Sequence, residues 1–346
     1  MIGIRVDANE TIASGHIMRC LSIARHLKDN CIFIVADDYA RQLISSKGFE
    51  VFTLGTDYSD MESELDILKE LISRLHIDVM LVDSYKVTPA YLSCLKTFCK
   101  VVYLDDIYAF PYDVNVLANY AAGACDATYK ELFGDALLPD LYLGPAYAPL
   151  REEFLLFKSK DKGVVTDIFI TSGATDKFDV VLNLVKQLVK LDDFSNMKLH
   201  VISGMFNQNA DELKTLALQY FNVLVYENVS NMAEIMSKCQ IAVSAGGSTL
   251  MELAAVGVPT IAYIVADNQV SGVKALVDME AVMYAGNANC VDDANCVDCI
   301  HSIVGCMQSL ISDKALRDSL REKASSLVDG LGAKRIAQIL AELEKI

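Results

Sequence analysis

The sequence predicts an α/β protein of two parallel-sheet units, and three observations carry that prediction. Short β-rich apolar runs alternate with helical periodicity from the first residue, the pattern of a parallel sheet covered by helices on both faces. The alternation pauses once, around Gly144-Pro145 and Pro149 and the charged stretch Lys158-Ser159-Lys160-Asp161-Lys162-Gly163, and then resumes. At 346 residues the chain exceeds what one hydrophobic core usually supports, which fits two units of roughly 150 residues each.

Taken in order, the first half carries strand candidates at 2–6, 31–35, 51–54, 79–82, 101–104 and 114–118. The second half repeats the pattern at 167–171, 198–203, 223–226, 241–244, 260–265 and 282–285. Both halves therefore read as Rossmann-like domains, the first over 1–157 and the second over 164–330, with the charged stretch as an exposed linker. From about residue 295 the spacing is helical. Gly330 and Gly332 mark a break before a last helix in 331–346, which is expected to pack across both domains.

Composition narrows the function. The chain is 53% hydrophobic, yet no apolar stretch reaches the roughly 18 residues of a membrane span. The N-terminus reads as a buried strand rather than a secretory signal, so a cytoplasmic location is expected. A formal charge of −16 without a basic cluster argues against a nucleic-acid surface or attachment to anionic lipid. A small anionic substrate needs only helix N-termini and a cation or two. The ten cysteines follow no regular spacing and read as reduced thiols packing as small hydrophobes.

Three strand-to-helix turns could hold chemistry. The first strand ends in Arg5-Val6-Asp7, and Ser14-Gly15-His16-Ile17-Met18-Arg19 opens a helix with Ile17, Leu21, Ala24 and Leu27 on one face. Asp7 and His16 thus fall at the carboxyl edge of the sheet, where open α/β sheets bind ligands. The positive end of the helix dipole favours a neutral, proton-accepting imidazole there; a histidine that only caps the helix would occupy the same place. His26, His76, His200 and His301 lie in or at the ends of periodic segments and read as structural.

The second turn runs from strand 241–244 through Ala245-Gly246-Gly247-Ser248-Thr249 into a helix that stops at Gly257, before Pro259. Two glycines allow close backbone approach to an anion, and the N–H groups and hydroxyls of Ser248 and Thr249 can donate to phosphate. Glu252, one turn further on the same face, can accept both hydroxyls of a ribose. An ordinary tight turn with an exposed glutamate is the plain alternative. The third turn, Thr171-Ser172-Gly173-Ala174-Thr175-Asp176, precedes a helix with Val180, Leu184 and Leu188 on one side, and could add donors from Gly173 and Ala174.

Other chemistries fit less well. The first turn lacks Gly-x-Gly-x-x-Gly, and no Walker lysine motif occurs. Cys296-Val297-Asp298-Cys299, with Cys290, His301 and Cys306 nearby, is a single Cys-x-x-Cys pair in a helical pattern; zinc sites usually bring a second pair, so buried thiols are the expected reading.

Gly15-His16-Ile17-Met18-Arg19, Ser244-Ala245-Gly246-Gly247-Ser248-Thr249-Leu250-Met251-Glu252 and Asn268-Gln269 together resemble one family. It is the UDP-2,4-diacetamido-2,4,6-trideoxy-β-L-altropyranose hydrolases of pseudaminic acid biosynthesis, a nonulosonic acid pathway. Val82-Asp83-Ser84-Tyr85, Leu104-Asp105-Asp106, Asn119-Tyr120-Ala121 and Leu150-Arg151-Glu152-Glu153-Phe154 extend the similarity over nearly the whole chain. The resemblance implies a GT-B-like fold, two Rossmann-like domains with parallel sheets facing a central cleft. It implies inverting hydrolysis to UDP and free sugar without metal or other cofactor, with His16 as general base. Asp7, Tyr85 and Asn119 are then sugar-side positions, and Gly173, Ala174, Gly247, Ser248, Thr249, Glu252, Asn268 and Gln269 nucleotide-side positions. It further implies a UDP-sugar as partner, alongside other enzymes of the nonulosonic acid pathway.

One departure stands out: the family usually has Gly-Gly-Thr-Asp where this chain has Ser172-Gly173-Ala174-Thr175-Asp176, so Ser172 adds a side chain beside the diphosphate. A GT-B glycosyltransferase using a UDP-sugar donor is the main alternative, because it shares the nucleotide half and the base position. A non-catalytic nucleotide-sugar-binding protein is the second.

Overall fold

A computed structural model describes residues 1–7, 15–27, 30–160, 163–289 and 293–345, with side chains omitted at 293–296. Thirteen strands are described: β1 (Ile2–Val6), β2 (Cys31–Val35), β3 (Val51–Thr53), β4 (Val79–Asp83), β5 (Lys100–Leu104), β6 (Val116–Asn119), β7 (Asp140–Leu143), β8 (Asp167–Thr171), β9 (Lys198–Ile202), β10 (Val223–Tyr226), β11 (Ile241–Ala245), β12 (Thr260–Ile264) and β13 (Met283–Asn287). They form two sheets, ordered β3-β2-β1-β4-β5-β6-β7 and β10-β9-β8-β11-β12-β13, with every pairing parallel. In each sheet the chain winds outward one way, returns to the centre and winds outward the other way. The order therefore reverses between β1 and β4, and again between β8 and β11. This is the doubly wound arrangement expected from the alternation.

The expected strands are present, and β7 adds one that the sequence reading did not list. Its four residues, Asp-Leu-Tyr-Leu, are only partly buried at the sheet edge and run straight into Gly144, so they carry little of the apolar signal that marks central strands.

The chain divides into one unit of Met1–Arg151 with Gly330–Ile346 and a second of Glu152–Asp329. The sequence reading had put the break at 157–164 and treated the last helix separately. Two packing details account for the difference. Ser159, in the stretch expected to be an exposed linker, is buried: its hydroxyl donates to the Cys239 carbonyl at 2.8 Å and its N–H to the Val256 carbonyl at 2.8 Å. The final helix, Gly332–Lys345, lays Ala333, Ile336, Ala337 and Leu340 into the first unit's core beside Ile4, Leu21 and Phe33. Gly332 allows this docking, because a Cβ there would stand 2.2 Å from the Ala148 carbonyl oxygen.

In the first unit, β1 sends Ile2, Ile4 and Val6 to the face shared with that helix, while Gly3 approaches Met80 and Arg5 lies among buried polar partners. Arg5 grips Glu64 with two N–H groups at 2.7 Å each and donates to Asp7 at 2.5 Å, and the Tyr91 hydroxyl adds a 2.8 Å bond to Glu64. All four residues are buried, so each charge is paired and hydrogen-bonded, as a low-dielectric interior requires. The second unit closes one core around Ile168, Ile170, Val243 and Ile261, covered by Leu184, Ile303 and Met307.

Candidate functional site

In the first unit the candidate side chains His16 and Tyr85 gather where the strand order reverses, at the carboxyl ends of β1 and β4. His16 lies in the first turn of the helix Gly15–Ala24, with its side chain 12% exposed. Its Nδ1 is 2.5 Å from Oδ1 of Asp83, the last residue of β4. Arg19, one turn after His16, donates from Nε to Asp83 Oδ2 at 2.6 Å and from Nη2 to Asp83 Oδ1. Its remaining arm, Nη1, donates to the Tyr120 hydroxyl at 2.7 Å and to Asp106 Oδ2 at 3.0 Å. The Tyr85 hydroxyl donates to the same Asp106 oxygen at 2.8 Å, and the Tyr85 ring meets His16 edge-on at 4.6 Å between centroids.

The electrostatics follow from these contacts. Burial by itself pushes the Asp83 carboxyl up, but the Arg19 guanidinium and the His16 contact outweigh it and hold the group well below the usual carboxylate range. Arg19 is likewise desolvated, yet its carboxylate partners raise it well above its ordinary value. Burial, reinforced by the Asp106 charge, raises the Tyr85 phenol, which stays a hydrogen-bond donor. Asp106 Oδ1 is buried and finds no hydrogen-bond partner among the described residues.

The other two sugar-side candidates are engaged in the protein's own bonds. Asp7 accepts from Arg5 through Oδ2 and from the Ala36 N–H through Oδ1 at 2.8 Å. Asn119, wholly buried at the end of β6, donates to the Tyr129 hydroxyl at 2.8 Å and accepts from the Ala121 N–H at 2.9 Å. Tyr85 is the exposed member of the three.

In the second unit a cavity of about 690 Å³ opens at the corresponding reversal, between the ends of β8 and β11. Gly173, Ala174, Gly247, Ser248, Thr249, Asn268 and Gln269 line it, so seven of the nucleotide-side positions meet in one place. Glu252, half-buried on the helix Thr249–Val256, is not among the lining residues. Gly246 sits at a crowded point: a Cβ there would stand 2.5 Å from Val273 Cγ2 and 3.1 Å from Gln269 Cβ. Around Gly247 nothing lies within 4 Å of such a Cβ, which leaves room for a ligand against the backbone. Gln269 turns its Oε1 to the Val265 N–H at 2.9 Å and so ties the Asn268-Gln269 segment to the end of β12.

Several residues escaped the sequence reading. Arg19 had a visible signal, since it lies three residues after His16 and so on the same helical face. Asp83, Asp106 and Tyr120 stand in motifs of the resemblance and after predicted strands, but neither signal assigns them a role. Lys177, Ser203 and Asn228 also line the second-unit cavity; a lysine six residues beyond Thr171 could have been flagged as the cation an anion site wants.

Of the zinc candidates, Cys290 and the Cys296 side chain lie outside the described residues; Cys299 is buried in the helix Asp293–Ser312. Ser14 of the first turn also lies outside them. Among the described residues the cysteines are unbridged, and no group of three or more His, Cys, Asp or Glu side chains is placed to hold a metal. No described helix is long and apolar enough to cross a membrane.

The two parallel-sheet units have the GT-B fold of glycosyltransferases. Residues 167–292 match the glycosyltransferase family 28 C-terminal domain. Among solved structures, Acinetobacter baumannii MurG is similar with a TM-score of 0.69 at 12% identity, over 99% of this chain and 99% of that one. Anabaena HepE, solved in complex with UDP, is similar with a TM-score of 0.62 at 13% identity, again over 99% of each chain.

The resemblance to one particular family reappears among the curated relatives. The UDP-2,4-diacetamido-2,4,6-trideoxy-beta-L-altropyranose hydrolase of Campylobacter jejuni is 24% identical over 72% of this chain and 85% of its own length. The spore coat polysaccharide biosynthesis protein SpsG of Bacillus subtilis is 22% identical over 99% of this chain and 98% of its own. An uncharacterised protein of Methanocaldococcus jannaschii is 25% identical over 75% of this chain, which spans 54% of that relative's length.

Proposed function

We propose that the chain hydrolyses a UDP-sugar, UDP-2,4-diacetamido-2,4,6-trideoxy-β-L-altropyranose, to UDP and the free sugar in pseudaminic acid biosynthesis. The observation that carries the reading is His16: it is fastened to Asp83 through Nδ1, and among the described residues nothing hydrogen-bonds its Nε2. An imidazole held through one nitrogen can present the other to a proton, as a general base must.

In this reading the second unit holds UDP. The N–H groups and hydroxyls of Ser248 and Thr249, with the backbone at Gly173, Ala174 and Gly247, take the diphosphate, and Lys177 adds charge. Asn268 and Gln269 complete the nucleotide side, and Glu252 receives the ribose hydroxyls. The first unit takes the sugar through Tyr85, while Asp7 and Asn119, buried and bonded to Arg5, Ala36, Tyr129 and Ala121, brace the sugar side rather than touch it.

Water attacks the anomeric carbon as its proton passes to His16 Nε2. The bond from that carbon to the diphosphate oxygen breaks, and its electron pair leaves with UDP. A single displacement inverts the anomeric centre. Support for a UDP-sugar comes from the UDP-bound HepE neighbour and the named hydrolase relative.

The same fold supports a second reading, a GT-B transferase that passes the sugar to an acceptor hydroxyl, favoured by the match of residues 167–292 to a glycosyltransferase domain. The two readings part on acceptor-free turnover. Purified protein with EDTA and a panel of UDP-sugars that includes the diacetamido-trideoxy-altrose compound is followed by NMR. Rapid release of UDP and free sugar of inverted configuration supports the hydrolase; UDP binding without turnover across the panel moves the assignment to the transferase.

A further inference from the structure

We propose that Asp83, clamped by Arg19, is the positioning residue that selects the tautomer of His16. Its carboxylate accepts a hydrogen bond from the proton on Nδ1 and thereby leaves Nε2 as the nitrogen able to accept one. The inference rests on the reading of His16 as base, but its geometry stands independently of the substrate.

Two partners compete for Nδ1. Asp83 Oδ1 lies 2.5 Å away, and Arg19 Nη2 lies 3.0 Å away. If Nδ1 carried no proton, its lone pair would face the lone pairs of a carboxylate oxygen at 2.5 Å, a repulsion with no proton between them; the guanidinium N–H would have to offset it from the longer distance. With the proton on Nδ1, the short contact becomes a charge-assisted hydrogen bond, and an Nη2 N–H is donated to the same Asp83 oxygen. The shorter contact therefore decides the tautomer.

Arg19 makes the arrangement rigid rather than merely compatible. It grips both oxygens of Asp83 from Nε and Nη2, and the Cys20 thiol adds a contact to Oδ2 at 3.4 Å. The carboxylate can neither rotate nor turn away from the imidazole. Asp83 is buried at the end of a central strand, and Arg19 shares the helix of His16, so sheet and helix jointly fix the ring plane. Asp83 touches no substrate in this scheme. It acts through His16 alone.

The test begins with the unmodified protein. With ¹⁵N-labelled histidine, the two ring nitrogens of His16, assigned by comparison with His16→Gln, report their protonation directly at a pH where the ring is neutral. Protonated Nδ1 and bare Nε2 are expected; bare Nδ1 with protonated Nε2 overturns the proposal whatever the enzyme's activity. Asp83→Asn presents an amide that can donate to Nδ1. It should reverse the tautomer and lower kcat by about 10²- to 10⁴-fold, with KM and UDP affinity held within about twofold. A folded Asp83→Asn protein that keeps the wild-type tautomer and kcat also overturns it, and if that variant does not fold, the wild-type spectrum decides. Should no UDP-sugar be hydrolysed, the functional reading fails while the spectrum still judges the role of Asp83.

Discussion

A Cβ placed on Gly204 would stand 2.1 Å from the carbonyl oxygen of Gly173, so the loops that follow β8 and β9 meet backbone to backbone. The Phe206 N–H extends this brace with a 3.0 Å bond to the Ala174 carbonyl. The turn assigned to the diphosphate is thus positioned by a neighbouring loop as well as by its own strand.

Gly204→Ala should force those loops apart. Overpacking of this kind costs about 1–3 kcal/mol, and UDP affinity should fall with it. Gly247→Ala is the matched comparison: with open space around its Cβ, it should leave the unfolding midpoint nearly unchanged and weaken UDP on the order of tenfold by obstructing the anion. Denaturant unfolding and calorimetric UDP titration check both; equal UDP affinity in Gly247→Ala and wild type would remove that turn from the binding site.

His16→Asn should lower acceptor-free turnover by about 10²- to 10⁴-fold, the usual contribution of a general base, with the Kd for UDP unchanged. Parallel loss of UDP binding would show that His16 supports the nucleotide rather than the attacking water.

Glu252 lies one turn beyond Ser248 and off the lining of the cavity, which makes its ribose contact the boldest of the nucleotide assignments. Glu252→Ala should weaken UDP by roughly 1.5–3 kcal/mol if its carboxylate receives the ribose hydroxyls. The titration should show a much smaller change for UMP-free pyrophosphate, which has no ribose, and undiminished UDP affinity would rule the contact out.

Asp83 also ties stability to pH. Its folded-state pKa is depressed, because the Arg19 and His16 contacts overcome the effect of burial. Such a group contributes fully above its unfolded-state pKa, near about 4, and the contribution disappears as pH falls from there towards the depressed folded value. Stability should therefore drop more steeply below about pH 4 in the wild type than in Asp83→Asn, which has no carboxylate to titrate. At neutral pH the same substitution should cost about 1.5–3 kcal/mol, because buried Arg19 exchanges a charged acceptor for a neutral amide and keeps Asp106 as its remaining carboxylate. Unfolding curves collected across the acid range check both; equal slopes would contradict the pairing.

Local pattern alone determined a good deal of this protein. Apolar runs with intervening helical periods marked both parallel-sheet units, and Gly247-Ser248-Thr249 and Gly173-Ala174, which line one cavity, could be recognised as strand-to-helix turns, because glycine content and position after a strand are properties of a few consecutive residues. His16 was legible for the same reason. Tertiary structure decided what each group touches. Asp83 reaches His16 across 67 residues because the strand order places β4 beside β1, and no local signal states which strands become neighbours. The same holds for Asp7 and Asn119, whose polar atoms bond to Arg5, Ala36, Tyr129 and Ala121, and for the last helix, whose apolar stripe announced burial but not against which unit. Periodicity specifies that a face must be covered; only the packed chain specifies by what.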